Sequence, residues 1–588
     1  MDDRIIKKML TGTMVVMVVT VLSTMLGMLV DGIVISRYLG KAYTAAYGIA
    51  NPIFNLLVAV NGVLAAGIQV LCSKHIGSGN FERAKQVHTV SMIMALIISV
   101  VLMLVMWFGA EPIGSLLGAH GKNVSLLPEV ADYLRGLSLG VPGLMLAFVI
   151  SSFMQIDSDR TRMIIAVVVM TVINISGDFI VAKVLHGGLF QMALATTISY
   201  YVALVIGFTH YLKKNLVLTF YFKGLKLRDA FKVIKFGAPS GVVNICITLR
   251  NIVINRLLLL VATHVAVAAF TIQNTLSAAA GAVSTGLGMA VLLVSGIVAG
   301  EEDKNSAVNL VRIMMKLGLI IALIEMAVVF IFAEPLSGIF CGKDVSLLKE
   351  TTYCVRIYAF GFIGNVLNSM LENYVQGLGR VAFANFIVVL DTFFYYVLVA
   401  WILGWGFSLP LGYIWASWAI GEAMVLLTVI IIAWKRNGHI PIHFSNYTFF
   451  PKGFGVDEQD TFNCTVYTME EMIGKAMEIE KFCTAHGAEY KLAMKLHLCI
   501  EEFGANVIRH GFSSDDKKHS IDIRVIKKDD RFTIRMRDDC RPFDPKAWHE
   551  MHCPEDITKN IGIRMVFGLA RDIKYVNTME LNNLVIEV

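Results

Sequence analysis

The stretch AAYGIAN, residues 45–51, returns as AAFTIQN at residues 268–274, and this repetition decides how the first three quarters of the chain are read. The same offset brings Gly77 onto Gly300 and Ala84 onto Ala307. Upstream, IVISR (33–37) matches IVINR (252–256); further on, FMQIDSDR, ending at Arg160, answers YVQGLGR, ending at Arg380. Around these matches lie apolar runs of about 20 residues or more, each long enough to cross a hydrocarbon core of roughly 30 Å as a helix. Twelve such runs fall between about residue 10 and residue 434. An even number of spans separates the matching segments, so the two six-helix halves share one orientation. Parallel repeats facing each other about an axis normal to the membrane are one architecture for alternating access, with substrate held between the halves. A duplicated channel or receptor is the other reading.

Composition agrees with a membrane protein. Of 588 residues, 56% are hydrophobic and only 16% charged, which excludes a chain soluble throughout. The first run follows MDDRIIKK without a small-residue cleavage site, so it is expected to stay as a helix. Nine cysteines lie scattered with no CxxC pair, which points to free thiols rather than a disulfide framework or a zinc site. Basic residues concentrate in alternate loops: Arg4, Lys7 and Lys8; Lys74, Arg83 and Lys85; Arg160 and Arg162; the connector from Lys213 to Lys235; Lys304 and Arg312; Arg380; Lys435 and Arg436. By the positive-inside rule both termini are cytoplasmic. This topology accounts for the net charge of +6, and because the basic connector abuts two spans no nucleic-acid partner is expected. The expected parts are a first half (1–212), a connector (213–229), a second half (230–436), a linker (437–459) and a tail domain (460–588). The expected fold class is an all-α polytopic membrane protein of twelve transmembrane helices in two parallel repeats, followed by an α/β sandwich.

Polar groups inside the apolar runs are functional candidates, because a charged side chain at the bilayer centre costs about 2.5–3.5 kcal/mol on insertion scales. Asp31 lies well along the first span; Asn174 and Asp178, four apart, share a face of the fifth. Two carboxylates and an amide oxygen suit a hard cation or a shared proton. The bland alternative is that they only hold helices together by hydrogen bonds. Arg250, Glu325, Glu372 and Glu422 interrupt the second half, and Arg250 occupies the repeat position of Asp31, which suggests an Arg250–Glu372 ion pair.

LVDGIVISRYLG (29–40), KHIGSGNFERAKQ (74–86) and NISGD (174–178) followed by ALATTIS resemble the multidrug and toxic compound extrusion (MATE) family, as do the second-half counterparts IQNTL and YVQGLGR. The resemblance covers residues 8–436. It implies a V-shaped twelve-helix exporter that moves small organic, often cationic, compounds outward in exchange for H+ or Na+. It also implies cation-coupling roles for Asp31, Asn174 and Asp178, with Thr196 near a further polar position and Glu372 where some members keep a coupling carboxylate. Membrane lipid surrounds such a protein. The 29 Met and 34 Phe suit an adaptable drug cavity, although a Met stripe on one helix usually serves packing.

After Trp434-Lys435-Arg436 the chain becomes charged and loses membrane-length runs. Periodicity predicts a strand at FNCTVY, helices over 468–486 and 488–511, two strands paired about Lys528-Asp529-Asp530, a helix near 561–572, and a last hairpin turning at Asn582-Asn583. LHLCIEEFGANVIRHGF (496–512), RDDCRPFDP (537–545) and IGIRMVFGLARDIKYV (561–576) follow the order of the three signature blocks of the histidine-kinase-like (GHKL) ATPase fold. They are most similar to its anti-sigma-factor kinase branch. The resemblance implies ATP with Mg2+: Glu502 as general base, Asn506 as the magnesium ligand, Asp538 on the adenine amino group, Gly562 letting backbone approach the nucleotide. Two departures stand out, Cys540 where the pattern has Gly and a single glycine in NIG. ATP binding, kinase activity toward a regulatory protein partner, and a docking module without nucleotide are the three readings of the tail.

No GxxxxGK[ST] occurs, so the chain does not read as a primary ATP-driven pump. The expected function is a secondary exporter of the bacterial inner membrane carrying a regulatory tail. The rival is a membrane sensor whose tail phosphorylates or docks a regulator.

Overall fold

The computed structural model describes residues 2–119, 126–213, 216–262, 264–342, 344–512, 518–528, 531–546, 567 and 570–587. Among these, ten helices are long and apolar enough to cross a membrane, and twelve spans result when each of two bent pairs counts as one. The bent pairs, Leu127–Ser138 with Val141–Ile156 (44°) and Val345–Ala359 with Gly361–Gly377 (47°), hold the fourth and tenth positions, so the break recurs in both halves. Pro142 explains the first break, since it supplies no backbone N–H. At the second, Gly361 sits where a Cβ would overlap the Trp418 indole.

The halves meet through small residues, as helices do where lipid offers no hydrophobic drive to associate. Gly67 in Ala42–Gly77 lies against the backbone of Val233 in Leu227–Val261, while Gly237 lies against Val63. At one end of the molecule Gly77 meets Ile297 and Gly300, and Gly300 meets Lys74. Gly77 and Gly300 are the mates identified in the repeat, so the two helices cross where a pseudo-two-fold axis requires. A side chain on either would collide with backbone carbonyl.

The tail forms one antiparallel sheet: β1 (Thr461–Val466), β2 (Ile521–Lys528), β3 (Arg531–Asp538), β4 (Asp572–Thr578) and β5 (Leu581–Glu587), in spatial order β1-β2-β3-β5-β4. Helices Met469–Ala485 and Tyr490–Asn506 cover one face through Ile521, Ile523, Val525, Ile534, Met536 and Ile586. Alternation sends the other face, bearing Arg524, Arg535, Arg537, Asn583 and Val585, to the opposite side. The membrane part covers that face. Val576, Met579 and Leu581 join the same apolar cluster as Met9 and Ile76.

The last hairpin turns at Met579-Glu580 and not at Asn582-Asn583: Thr578 pairs with Leu581, and both loop residues have positive φ, 54° and 60°. The asparagines are drawn into β5 because their amides are used inside, Asn583 with Arg537 and Thr578, Asn582 with Asp538. Non-glycine residues in the left-handed region are strained, and such strain persists where surroundings over-determine it. Here the membrane part does so: Met579 is buried, Ser158 Oγ accepts from the Glu580 N–H at 2.8 Å, and Arg160 pairs with the Glu580 carboxylate at 2.8 Å. Of the predicted helix near 561–572, most residues lie outside the described ones, and Asp572 already belongs to β4.

The segment joining the last span to the tail runs along the second half. Gly438 ends Leu411–Asn437 in the left-handed conformation. Phe449 is buried, and the carbonyls of Thr448, Phe449 and Phe450 accept from Tyr374, Arg380 and Arg436. At the opposite edge, the first helix reaches the tail: Arg4 donates to the Lys518 carbonyl, and Tyr467 donates to Asp2. The beginning of the chain and the tail therefore share one face of the molecule, the tail face.

Asp303, in the turn between Ala282–Glu301 and Lys304–Ile331, faces Arg524 of the tail at 3.3 Å. Burial alone would raise its carboxyl, but the positive charge around it, Arg524 included, and the hydrogen bonds from Ser306 outweigh this and hold it at about 2, below the ordinary 3.8. A carboxyl depressed in the folded state stabilises above its unfolded pKa and loses that contribution as pH falls through the folded one. Its share of tail docking is therefore expected to be intact above about pH 4 and lost between about pH 4 and 2. Amide exchange in β2 and β3 of the wild type, compared with Asp303→Asn across this window, checks it: the two proteins converge at the acid end.

Candidate functional site

The first-half polar residues converge. Asp31 stands near the end of the first span and Asn174 and Asp178 one turn apart on Arg160–Ile180. The Asn174 side-chain amide donates to Asp31 Oδ1 at 2.9 Å and to Asp178 Oδ2 at 3.3 Å. The two carboxyl groups also lie within hydrogen-bonding reach of each other. At that spacing they repel unless a proton or a cation sits between them. Asp178 is buried and its Oδ1 has no hydrogen-bond partner among the described residues, whereas Asp31 is partly exposed. Each carboxylate precedes a π-helical turn, Ile35–Leu39 and Val181–Leu185, an irregularity frequent at functional sites. Thr196 does not join them by hydrogen bond: its hydroxyl donates to the Met192 carbonyl of its own helix.

In the second half, the expected Arg250–Glu372 ion pair is not formed. The Arg250 guanidinium lies 5.3 Å from the Tyr396 ring centroid, where a cation is attracted to the aromatic face, and Glu372 Oε1 has no hydrogen-bond partner among the described residues. Glu325 reaches only Ser284, at 3.5 Å. Instead, the structure assembles a group that the sequence reading missed in part. Asn368 donates to Asp391 Oδ1 at 2.9 Å and to Glu422 Oε2 at 2.7 Å, and Asn365 donates to Glu422 Oε1 at 3.2 Å. Asp391 lies on the π-helical turn Leu390–Phe394. Its signal was present, since a carboxylate interrupting FIVVLDTFFYYV meets the same criterion as Asp31. Asn368 has no such signal, because an amide in a membrane helix is unremarkable until its partners are known. Each half thus holds two carboxylates bridged by one asparagine. The second-half group is more enclosed: Asn368, Asp391 and Glu422 are all buried.

In the tail, Glu502 and Asn506 lie one turn apart at the end of Tyr490–Asn506, both partly exposed. Asp538 ends β3 and is buried; burial pushes its carboxyl up, against hydrogen bonds from Asn582 and the Cys540 N–H. Both bonds use Oδ1, at 2.7 and 3.0 Å. A buried carboxyl at a strand end, held in place by Asn582, fits an adenine amino group, and the Asn506 amide oxygen fits a magnesium ion. Gly562 lies outside the described residues. Cys540 is buried with its sulfur packed against Gly511, at the end of the helix segment that carries Asn506. Asn582, read in the sequence only as a turn, positions Asp538.

Asp539, next to Asp538, takes His519 Nδ1 at 2.9 Å and the Lys8 ammonium at 3.3 Å. Burial would raise its carboxyl, but these partners hold it below the ordinary range. His519, Asp539 and Cys540 offer ligand atoms within 4.8 Å of one another, yet Lys8 already supplies the positive charge a metal would bring. Asp538 and Asn582 are register partners, as are their chain neighbours Arg537 and Asn583 on the opposite face. The candidate nucleotide residues and the residues gripping the membrane part therefore share one strand pair.

A MatE family model matches residues 17–180 and 239–416, and a model of the histidine kinase-like ATPase domain matches residues 469–587. Multidrug export protein MepA of Staphylococcus saprophyticus is 24% identical over 446 residues, 74% of this chain and 95% of its own length. The FAD transporter of Shewanella oneidensis is 25% identical over 355 residues, 58% of this chain and 77% of its own. Among solved structures, an outward-facing multidrug resistance MATE family transporter superposes with a TM-score of 0.67 at 20% identity, covering 74% of this chain and 96% of its own. A Vibrio cholerae MATE transporter superposes with a TM-score of 0.67 at 19% identity, covering 74% and 98%. At such identities the likeness establishes the fold.

Proposed function

The chain belongs to the MatE family and carries a histidine kinase-like ATPase domain, and from that premise we propose that it is a secondary active exporter of small organic compounds, regulated by its tail. The observation that carries the reading is the bridge from Asn174 to Asp31 and Asp178. Two spans contribute one carboxylate each, and the pair is complete only with a proton or a sodium ion. Asp31, partly exposed, gives that ion a way to exchange, which the buried second-half group lacks. The first half is thus the coupling half. Alternating access follows from the parallel repeats: the bound ion and the organic substrate compete for one arrangement of the halves. The substrate class in this reading is small organic and cationic, although one relative is an FAD transporter.

The positive-inside pattern supports a cytoplasmic tail face, in the inner membrane of a bacterium. Dissipating the ion gradient across proteoliposomes is expected to stop extrusion of a cationic dye at once. Extrusion that continues unchanged would refute ion coupling.

In the tail, Asn506 would hold magnesium, Asp538 the adenine, and Glu502 would take the proton from an attacking hydroxyl or water. Bound ATP would supply a phosphoryl group. For the full-length protein, Asn506→Ala is expected to weaken binding of a fluorescent ATP analogue with Mg2+ at least about tenfold, that is by about 1.4 kcal/mol or more. Glu502→Ala is expected to leave binding in place and remove any hydrolysis. Wild-type protein that fails to bind at millimolar ATP would recast the tail as a docking module.

A further inference from the structure

Helices Ala42–Gly77 and Ala282–Glu301 end side by side at the tail face. A helix C-terminus carries roughly half a negative charge, and Glu301 adds a full one in the same contact. Two such ends pressed together repel, so closing the halves here needs cations. The tail supplies them from one face of its sheet. Arg524 donates to the Glu301 carbonyl at 3.1 Å and the Glu302 carbonyl at 3.3 Å, capping the second-half helix. Arg537 is bonded to the Glu301 carboxylate. Arg535 touches both halves: its Nη2 donates to the Gly77 carbonyl at 2.6 Å, and its Nη1 stands 3.4 Å from Glu301 Oε1.

One guanidinium therefore spans the seam at which Gly77 and Gly300 bring the halves into backbone contact. Further contacts fall on either side of the same seam. Arg160 and Ser158 of the first half hold the strained Met579-Glu580 turn, and Glu302 of the second half pairs with Lys528 at 3.3 Å.

We infer that the arginine face of the tail's sheet is a clamp whose partner is the chain's own closed tail-side gate. Docked, it neutralises two converging helix ends and ties the halves together. Resting on the alternating-access reading above, the halves must part on this side during each cycle, so the docked tail holds the exporter back and its release permits turnover.

The test uses the full-length protein in a cysteine-free background, in lipid nanodiscs and in proteoliposomes loaded with ethidium. Spin labels at Lys74→Cys and Asn305→Cys, one on each half and both exposed, read the distance across the seam. Wild type is expected to give one short distance. Arg535→Gln, and Glu580→Ala as a variant whose exposed rim position spares the buried charges, are expected to add a longer population and to raise the initial ion-driven efflux rate at least threefold. Distances unchanged from wild type in both variants, or efflux that does not rise when the distances open, would overturn the clamp. Failure of wild type and of both variants alike to move ethidium under either ion gradient would count against the exporter reading, while the label distances still judge the clamp.

Discussion

Asp178→Asn is expected to abolish ion-driven efflux, a loss beyond about tenfold, or more than about 1.4 kcal/mol of coupling. The substituted amide keeps the size of the side chain and can still bond Asn174, so the packing of the two spans survives. What it cannot do is carry the negative charge that binds a cation or accepts a proton. With Asp178 neutral, Asp31 alone faces Asn174, and the carboxylate pair that must share a proton or hold a cation is gone. Dye efflux from proteoliposomes under an imposed proton or sodium gradient checks this. Asp31→Asn should act in the same direction. Wild-type efflux in both variants would remove Asp31, Asn174 and Asp178 from the mechanism. Asp391→Asn separates the halves: loss of coupling there, with Asp178→Asn intact, would move the coupling site to the second-half group.

The largest stability effect is expected at Arg537. Its side chain is 4% exposed and that of Glu301 2%. Removing one member of a buried ion pair costs about 3–5 kcal/mol, mostly because the other charge is left buried and unpaired. Arg535 remains near Glu301 at 3.4 Å, so Arg537→Met is expected at the lower end, about 3 kcal/mol. The cost falls on docking: thermal unfolding of the full-length protein should begin at lower temperature, and amides of β3 and β5 should exchange faster. The double variant Arg537→Met with Glu301→Met should recover part of the loss, since the apolar pair leaves no orphan between the two positions while Arg535 gives up its carboxylate. A double variant as unstable as the sum of the two singles would show that the pair itself is not the source.

Much of this protein was legible before folding. Long apolar runs announce spans because a bilayer leaves the backbone no other partner, and matching motifs in two halves announce a parallel repeat. Asp31, Asn174 and Asp178 stood out because each is costly in an apolar run, and the four-residue spacing put two of them on one helix face. Asp391 carries the same signal, a carboxylate interrupting an apolar run. The turn expected at Asn582-Asn583 from their local preference for the left-handed region does not form there, because both amides are consumed inside the sheet. Local propensity yields to tertiary hydrogen bonds when buried polar groups have to be satisfied.

What the sequence by itself determined is the set of parts: twelve spans in two like-oriented halves, the family of each part, and the residues whose chemistry is expensive enough to need a reason. Only the tertiary structure decided which of those residues meet. It brought Asn174 between two carboxylates, kept Arg250 from Glu372, and laid Arg524, Arg535 and Arg537 against the ends of two helices hundreds of residues away. The physical reason is that helix and strand periodicities, and the cost of burying charge, are properties of short segments. Pairings across the seam depend on how backbones approach, and at Gly77 and Gly300 that approach is set by the absence of a Cβ on both sides.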